Sequence, residues 1–568
     1  MAAEKMSKTM DKNTFFERNI RALSEKNAEL CALLSRINKI DPGTAHYSAQ
    51  KSRSGESIPV WVSSSDSALP LHSTMDPRKE AKRLINTVEN AGFLIFLGLG
   101  GGFYAEAALE RDDVGLVLVI EYDLLGLWQL LKLFDYSALF SDPRFRILLD
   151  VREQELIQAV LNLYQPALFG GVRMIPLRSR TGIEPKPFAR AASAIDAAIK
   201  NISADYSVQA HFGKRWFSNV IRNLCLAENT NESLPRIKRA AVCAAGPSLS
   251  LQMKQLEEKR EGLYLIATDT SLPCLLHAGL KPDAVISIDC QHISYLHFMD
   301  GFPEGVLLFL DLSSPRLITG PKLNYHFFTG GHPFTRYISE KWKAFLTLDT
   351  SGGNVTHAAV SLAEALGAEE IELYGADFSY PVGFSYARGA YVYPFFESRQ
   401  NRFSPLEAQH SIFLFRTPLE KKYHTVLHSG ASWYYETETL KLYRERLEEK
   451  NKTSKATLIP IEGMGAPLQI VQKEKPIFIQ NQMDQQKPTK SAADFLCHYC
   501  ETLRLLPEAE KNAAEYLGAL DEEGRAVFAT ITPTLAALKK RLPELNFKEL
   551  FETARTQCIK KIDAVLSQ

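Results

Sequence analysis

Polar residues suited to chemistry recur at one kind of place in this chain, the end of a short apolar run. Ser248 closes the run that begins at Arg239, Asp269 the run from Leu263, Asp289 the run from Ala284, Asp311 the run from Gly305, and Asp377 the run from Ile371. Runs this short, rich in β-branched residues and separated by helical segments, predict buried strands of a parallel sheet. Such sheets bind ligands outside the carboxyl ends of their strands. One polar rim therefore carries Ser248, Asp269, Asp289, Asp311 and Asp377, and a cluster of Asp269, Asp289 and Asp377 is chemically able to bind Mg²⁺.

Further along, Thr350-Ser351-Gly352-Gly353-Asn354 leads into a helix predicted over 355–366. A turn of small residues at a helix N-terminus offers free amide N–H groups at the positive end of the dipole, which suits an anion. An ordinary capped helix, with Asn354 or Ser351 as the cap, explains the same residues. The stretch from Tyr380 to Phe403 is rich in aromatics and glycine and carries Arg388, Arg399 and Arg402. It reads as an irregular lid, though aromatic packing alone also accounts for it. His424 and His428 follow, just before a helix predicted over 432–449, and are candidate proton acceptors. Near the N-terminus, a buried strand over 93–98 runs into Gly98-Leu99-Gly100-Gly101-Gly102, and the next strand ends on Glu121, about twenty residues later. That is the layout of a dinucleotide-type loop, although the glycine spacing is not strict. Tight strand-to-helix packing is the other reading. Cys497 and Cys500 form a lone CxxC without a second pair, which favours a structural role.

The elements that must position these residues need more than one core. A chain of 568 residues predicts two to four domains. We expect an α/β protein: an N-terminal helical and Rossmann-like domain over 1–228, a central α/β domain over 236–470, a Gln-, Lys- and Pro-rich linker over 471–490, and a C-terminal α-helical domain over 491–568. Residues 14–35 have the spacing of one amphipathic helix, Asp76 and Pro77 open another, and 191–202 and 212–227 read as further helices. Breaks are expected near Pro507, Pro533 and Pro543. Lys plus Arg and Asp plus Glu both number 66, so net charge points neither to nucleic acid nor to an anionic membrane. No apolar run reaches the ~18 residues of a membrane span. The N-terminus is polar, without a secretory h-region, and the eight cysteines are scattered, so a cytoplasmic protein with reduced thiols is expected.

Taken together, Gly246-Pro-Ser-Leu249, Ala267-Thr-Asp269, Gly279-Leu-Lys-Pro-Asp283 with Asp289, Thr350-Ser-Gly-Gly-Asn354 and Tyr374-Gly-Ala-Asp377 resemble the central domain of the motility-associated factor (Maf) flagellin glycosyltransferases. Phe16-Glu-Arg-Asn19, Asp76-Pro-Arg-Lys-Glu80 and the glycine strand up to Glu121 resemble that family's N-terminal region. The resemblance covers roughly residues 14–470. The core is also similar to bacterial CMP-sialic acid sialyltransferases and to hydroxymethylpterin diphosphokinases. It implies a sialyltransferase-type central domain and transfer of a nonulosonic acid (sialic, pseudaminic or legionaminic type) from a CMP-sugar to Ser or Thr of flagellin, with inversion, in support of flagellar assembly and motility. By that resemblance Gly246, Pro247 and Ser248 hold the nucleotide, with Ala244 where the family has a first glycine. Thr268, Asp269, Asp289, Thr350, Ser351, Gly352, Asn354 and Tyr386 line the substrate site, and Asp377, of the donor-site loop, and His428, the general base, are the catalytic residues. No metal is required, Mg²⁺ remaining possible, and the partners are flagellin and the CMP-activated sugar. The alternatives are an ATP-dependent hydroxymethylpterin diphosphokinase-like enzyme and a non-catalytic flagellin-binding chaperone.

Overall fold

The structure, a computed structural model, describes residues 15–24, 26–40, 46–63, 67–228, 234–299, 301–319, 323–428, 430–471, 488, 490–509 and 512–567, the side chains of 39–40, 317 and 425–428 excepted. The chain forms two compact units. The first comprises 1–213, 506–525 and 532–556, and the second 214–505, 526–531 and 557–568. The helices of the expected C-terminal region are thus divided between the two. Among the described residues no helix is long and apolar enough to cross a membrane.

The first unit is built on a parallel sheet in the order Phe145–Leu149, Leu116–Glu121, Ala91–Leu97, Gly171–Pro176. Every residue of Ala91–Leu97 and of Leu116–Glu121 is buried, as parallel strands covered on both faces must be. An antiparallel meander, Tyr47–Lys51, Ser57–Val62 and Ala68–Pro70, accompanies it. The N-terminal residues form two helices, 15–24 and Ala28–Ile40, instead of the single one expected. The chain breaks between them where Asn27 accepts from the Leu30 N–H as a local cap. Asn19 explains part of its own motif. It is fully buried, donates to the carbonyls of Leu131 (2.9 Å) and Phe134 (2.7 Å), and accepts from the Tyr136 N–H (2.7 Å). The caps at Asp76 and Pro77 form as expected, Asp76 accepting from the Lys79 N–H.

Two helices expected at 191–202 and 212–227 are one, Pro185–Ala227, 43 residues long. The sequence between them, although more polar, contains no Pro and no capping signal strong enough to stop propagation. Pro533 likewise does not break its helix, which runs from Glu522 to Arg541. Gly213 lies so close to the Pro533 carbonyl that a Cβ there would meet it at 1.9 Å, so packing holds the proline turn in place.

The second unit contains an eight-stranded parallel sheet. Its spatial order is Leu346–Thr347, Asn324–Thr329, Leu307–Asp311, Ala284–Ser287, Tyr264–Thr268, Arg239–Cys243, Glu370–Tyr374, Thr457–Pro460. The chain starts at Arg239–Cys243, winds outward to one edge, and then crosses back through the helix Val355–Ala365 to place Glu370–Tyr374 on the other flank of the first strand. That crossover makes a switch point between Arg239–Cys243 and Glu370–Tyr374. A small antiparallel sheet follows in the order Tyr380–Pro381, Ala431–Glu436, Glu420–His428. The stretch expected as a helix over 432–449 is therefore a strand, Ala431–Glu436, and then a helix, Glu438–Thr453. Trp433, Tyr434 and Tyr435 favour a pleated surface, and Thr437 caps the helix by accepting from the Leu440 N–H. The supposed lid over 380–403 holds a short strand, Tyr380–Pro381, and a helix, Val392–Glu397. The linker expected at 471–490 falls almost wholly outside the described residues. Cys497 and Cys500 lie on the helix Ala492–Leu505, and Cys500 is buried against Asp563.

In the first unit the dinucleotide-type loop is filled by the protein itself. Glu121 is buried, accepts from the N–H groups of Leu99 (3.2 Å) and Tyr122 (2.9 Å), and pairs with the equally buried Arg180 at 2.5 Å. His72 Nε2 accepts from the Gly101 N–H at 2.8 Å, and the Tyr136 hydroxyl donates to the Gly100 carbonyl at 2.7 Å. A Cβ on Gly98 would meet Arg180, and one on Gly100 would meet His72 and Leu177. The glycines therefore serve close packing, and the acid serves the loop. Breaking a pair this buried leaves an uncompensated charge, so Arg180→Ala is expected to lower the unfolding free energy by about 3–5 kcal/mol in urea titrations, with the Arg180→Met, Glu121→Gln double substitution much milder.

Candidate functional site

A cleft of about 200 Å³ opens outside the carboxyl ends of the strands at the switch point. Its floor is the loop after Arg239–Cys243 (Ala244, Ala245, Gly246) and the loop after Glu370–Tyr374 (Gly375 to Tyr380). Thr268 and Thr270 border it on one side, and Asn354, Val355 and Thr356, the first residues of the crossover helix, border it on another. Ser385, Tyr386, Leu440 and Tyr443 complete the wall. Five residues singled out in the sequence (Gly246, Thr268, Asn354, Asp377 and Tyr386) thus meet in one cavity.

What brings the floor together is a buried hydrogen-bonded junction. Asp377, 4% exposed, accepts from the Ser248 N–H at 2.8 Å and from the Ser248 hydroxyl. The same hydroxyl accepts from the Met464 N–H at 2.7 Å, and the Asp377 carbonyl accepts from the Ala466 N–H at 3.0 Å. Three loops, 244–248, 375–379 and 461–466, are therefore tied at one point. The Gly246 N–H donates to the Gly375 carbonyl at 2.9 Å. This proximity requires glycine: a Cβ on Gly246 would lie 2.4 Å from an Asp377 oxygen and from the Gly375 carbonyl, and one on Gly465 would strike the Asp377 backbone. Gln252 adds a second tie, accepting from the Gly375 N–H at 2.8 Å and donating to the Glu462 carbonyl at 2.9 Å. Burial pushes the Asp377 carboxyl up to about 6, against the hydrogen bonds from Ser248 that pull it down.

The remaining expected residues sit near the cleft in distinct roles. Pro247 and Ser248 are buried behind its floor. Thr268 accepts from the Ser271 N–H, capping the short turn that follows its strand. Asp269, 1% exposed, accepts from Thr270 (2.7 Å from N–H, 3.0 Å from hydroxyl) and from the Ser287 hydroxyl at 2.7 Å. Asp289 is raised by burial, and the charge of Asp269 adds to the shift. Asp311 is also buried, accepts from Ser313, and is pushed up to about 6. Among the described residues no three His, Cys, Asp or Glu side chains come together to hold a metal ion.

The turn at 350–354 is arranged from within. Thr350 donates to the Gly330 carbonyl at 3.1 Å, and Ser351 donates to Asp349 through both its N–H and its hydroxyl. Asn354 is the helix cap, accepting from the His357 N–H at 3.0 Å. Sequence reasoning passed over His357, which is 2% exposed and lies against Gly352 with Nδ1 3.3 Å from the Asp349 carbonyl. Its place in the first turn after the cap was the available signal. Thr350, Ser351 and Gly352 thus shape the approach to the helix N-terminus, which itself faces the cleft.

Tyr386 is half-buried, its ring 6.0 Å from Tyr391 and 6.2 Å from Phe413. Burial raises its pKa far above the usual phenol range. His424 places Nε2 3.0 Å from the Met464 carbonyl. His428 ends the strand Glu420–His428, opposite Ala431, and its side chain lies outside the described residues. Thr270, Thr356, Leu440 and Tyr443 are not singled out in the sequence, and Tyr380 and Ser385 enter there only as part of the 380–403 stretch.

Comparison with known proteins follows this geometry. Residues 214–383 match the family model described as 6-hydroxymethylpterin diphosphokinase MptE-like. An uncharacterised protein of Treponema pallidum (strain Nichols) is 32% identical over 164 residues, 28% of this chain and 78% of that protein. A second uncharacterised Treponema pallidum protein is 37% identical over 150 residues, 26% of this chain and 53% of its own length. The MAf glycosyltransferase of Magnetospirillum magneticum AMB-1 has a similar structure, with a TM-score of 0.57 at 12% identity, covering 98% of this chain and 96% of that one. The resemblance read from the sequence therefore extends to the fold of nearly the whole chain.

The buried junction has a measurable pH signature. An acid whose folded pKa is raised binds its proton more tightly when folded, so the stabilisation is present below about 4 and is lost as pH rises to about 6. Asp377→Asn, which keeps an acceptor for the Ser248 N–H, is expected to escape that loss. The unfolding free energy of the variant relative to the unsubstituted protein, from urea titrations, should rise between pH 4 and pH 7 by an amount on the order of 2–3 kcal/mol.

Proposed function

The chain belongs to the family of the 32%-identical Treponema pallidum protein and has the fold of the MAf glycosyltransferase, and on that premise we propose that it is a glycosyltransferase moving a nonulosonic acid from its CMP conjugate to Ser or Thr of flagellin. The observation that carries this reading is the position of the cleft. It lies at the switch point of an eight-stranded parallel sheet, where open α/β sheets bind nucleotides, with a capped helix N-terminus on its wall.

In this account the N–H groups at Asn354 to Thr356 receive the nucleotide phosphate, whose charge grows as the sugar departs. Gly246, lacking a side chain, lets the nucleotide approach the floor, and Ser248 and Asp377 hold that floor rigid. Thr268 and Tyr386 face the sugar side, with Asp269 and Asp289 behind them. The acceptor oxygen attacks the tertiary anomeric carbon as the bond to the CMP phosphate breaks, one displacement with inversion. His428 takes the hydroxyl proton, a role assigned from the sequence. The reaction as drawn requires no metal. Flagellin is the protein partner and the cytoplasm the setting.

A second reading rests on the match of residues 214–383 to the MptE-like model: pyrophosphoryl transfer from ATP to a hydroxymethylpterin. Thermal unfolding with CMP, CDP, and ATP with Mg²⁺ separates the two. CMP at 100 times its Kd stabilises a one-site protein by about 2.7 kcal/mol. We expect CMP and CDP to raise Tm and ATP with Mg²⁺ to leave it unchanged. The reverse pattern selects the kinase, and no response to any of the three leaves the flagellin-binding scaffold. Mass spectrometry of flagellin from cells lacking the protein should show loss of the nonulosonic acid.

A further inference from the structure

Arg416 stands two residues beyond the helix Leu406–Leu414, one past its cap Phe415, and its side chain is hydrogen-bonded to Tyr380, which lines the cleft. Its guanidinium carbon lies 3.9 Å from the centre of the Phe413 ring. Phe413 is anchored in turn, 6.2 Å from Tyr386 and 5.7 Å from Phe396, and Tyr386 lines the cleft. Stacking of this kind covers one face of the guanidinium and leaves its edge N–H groups in the plane for another partner.

No carboxylate takes that place. Among the described residues Arg416 has no ion pair, and its side chain is exposed. Other cations of the second unit differ. Arg444 pairs with Glu436 at 3.0 Å and with Glu448 at 3.4 Å, Lys422 pairs with Glu436 and Glu420, and Arg446 donates to the Ser351 carbonyl at 2.9 Å. The charge of Arg416 is felt at Tyr380, Tyr386 and Tyr391, where it opposes the upward shift that burial imposes on each phenol. Among the described residues it is the sole cation acting on all three. A guanidinium held over Phe413 and hydrogen-bonded to the Tyr380 side chain, with no carboxylate partner among the described residues, is a preformed recognition point for a planar anion. The other anion-binding feature of the cleft, the N-terminus of the crossover helix, belongs to separate elements, so one ligand with two acidic groups can use both.

We propose that Arg416 reads the carboxylate of an acidic sugar bound in the cleft, pairing with it edge-on while Phe413 holds the guanidinium plane. The proposal rests on the donor reading above and adds the residue that selects an acidic sugar over a neutral one. A phosphate has the same appetite for guanidinium as a carboxylate, and the test separates them.

The full chain is titrated by calorimetry with CMP and with CMP-N-acetylneuraminic acid, as the unsubstituted protein, Arg416→Gln and Arg416→Lys. The expected result is unchanged affinity for CMP in all three. For the CMP-sugar, Arg416→Gln should lose roughly ten- to hundredfold, and Arg416→Lys, which keeps the charge without the planar fork, should fall between. A third probe, the CMP-sugar with its carboxyl reduced to the alcohol, should bind the unsubstituted protein as weakly as the acidic sugar binds Arg416→Gln, and be indifferent to the substitution. Equal loss for CMP and CMP-sugar would assign Arg416 to the phosphate and overturn the proposal. No loss for either would do the same while leaving the donor reading intact. If the unsubstituted protein binds neither probe, the donor reading itself falls, and this proposal with it.

Discussion

The second unit depends on one buried carboxylate. Asp377 lies where the sheet reverses its winding direction, and the two loops at that point have to approach each other without side chains between them. A carboxylate accepting from Ser248 N–H and hydroxyl, with that hydroxyl accepting from Met464, converts three independent loop ends into one rigid floor. The arrangement costs the desolvation of a charged group and demands Gly246, Gly375, Gly463 and Gly465 around it, each with a Cβ position already occupied by a neighbour. A cleft floor fixed this firmly is what a site needs if it is to hold a ligand in a set orientation, since a misplacement of about 1 Å is expensive in transfer reactions.

The two parallel sheets put similar local devices to different ends. Both units have a turn with glycine at its close-approach point after a buried strand. In the first, Glu121, Arg180, His72 and Tyr136 fill the space that a phosphate would take, and the turn is part of the core. In the second, the equivalent space stays open and is walled by a helix N-terminus. A glycine-rich turn thus permits close approach without saying what approaches. Only the surrounding side chains decide whether that is protein or ligand.

How much of this was legible in the sequence follows the range of the interactions. The buried strands are legible because β-branched runs report their own burial, but the polar closing residues lie past the strand ends, Ser248 five residues beyond Cys243 and Asp377 three beyond Tyr374. The caps at Asp76 and Asn354 were read because their partners lie three residues away. The strand Asn324–Thr329 escaped notice, since Tyr325, His326 and their neighbours show no clean alternation. The strand Ala431–Glu436 was taken for the start of the helix behind it, because Thr437 was not recognised as a cap. At the site, the strand ends point to Asp377, the small-residue turn before a helix points to Asn354, and the family resemblance adds Gly246, Thr268 and Tyr386. The bond between Ser248 and Asp377 spans 129 residues of sequence, and no local pattern announces it. The same is true of Glu121 and Arg180, 59 apart, whose pairing turned an apparent ribose-binding acid into a structural one.

A ligand entering at the switch point of the larger sheet passes over the floor that Asp377 holds. Amide hydrogen exchange of the full chain with and without CMP tests this most directly. The account predicts slower exchange in 244–248, 354–358 and 375–386 on adding CMP, with residues 98–102 unchanged. Protection confined to 98–102, or absent from all of these segments at saturating CMP, would contradict it.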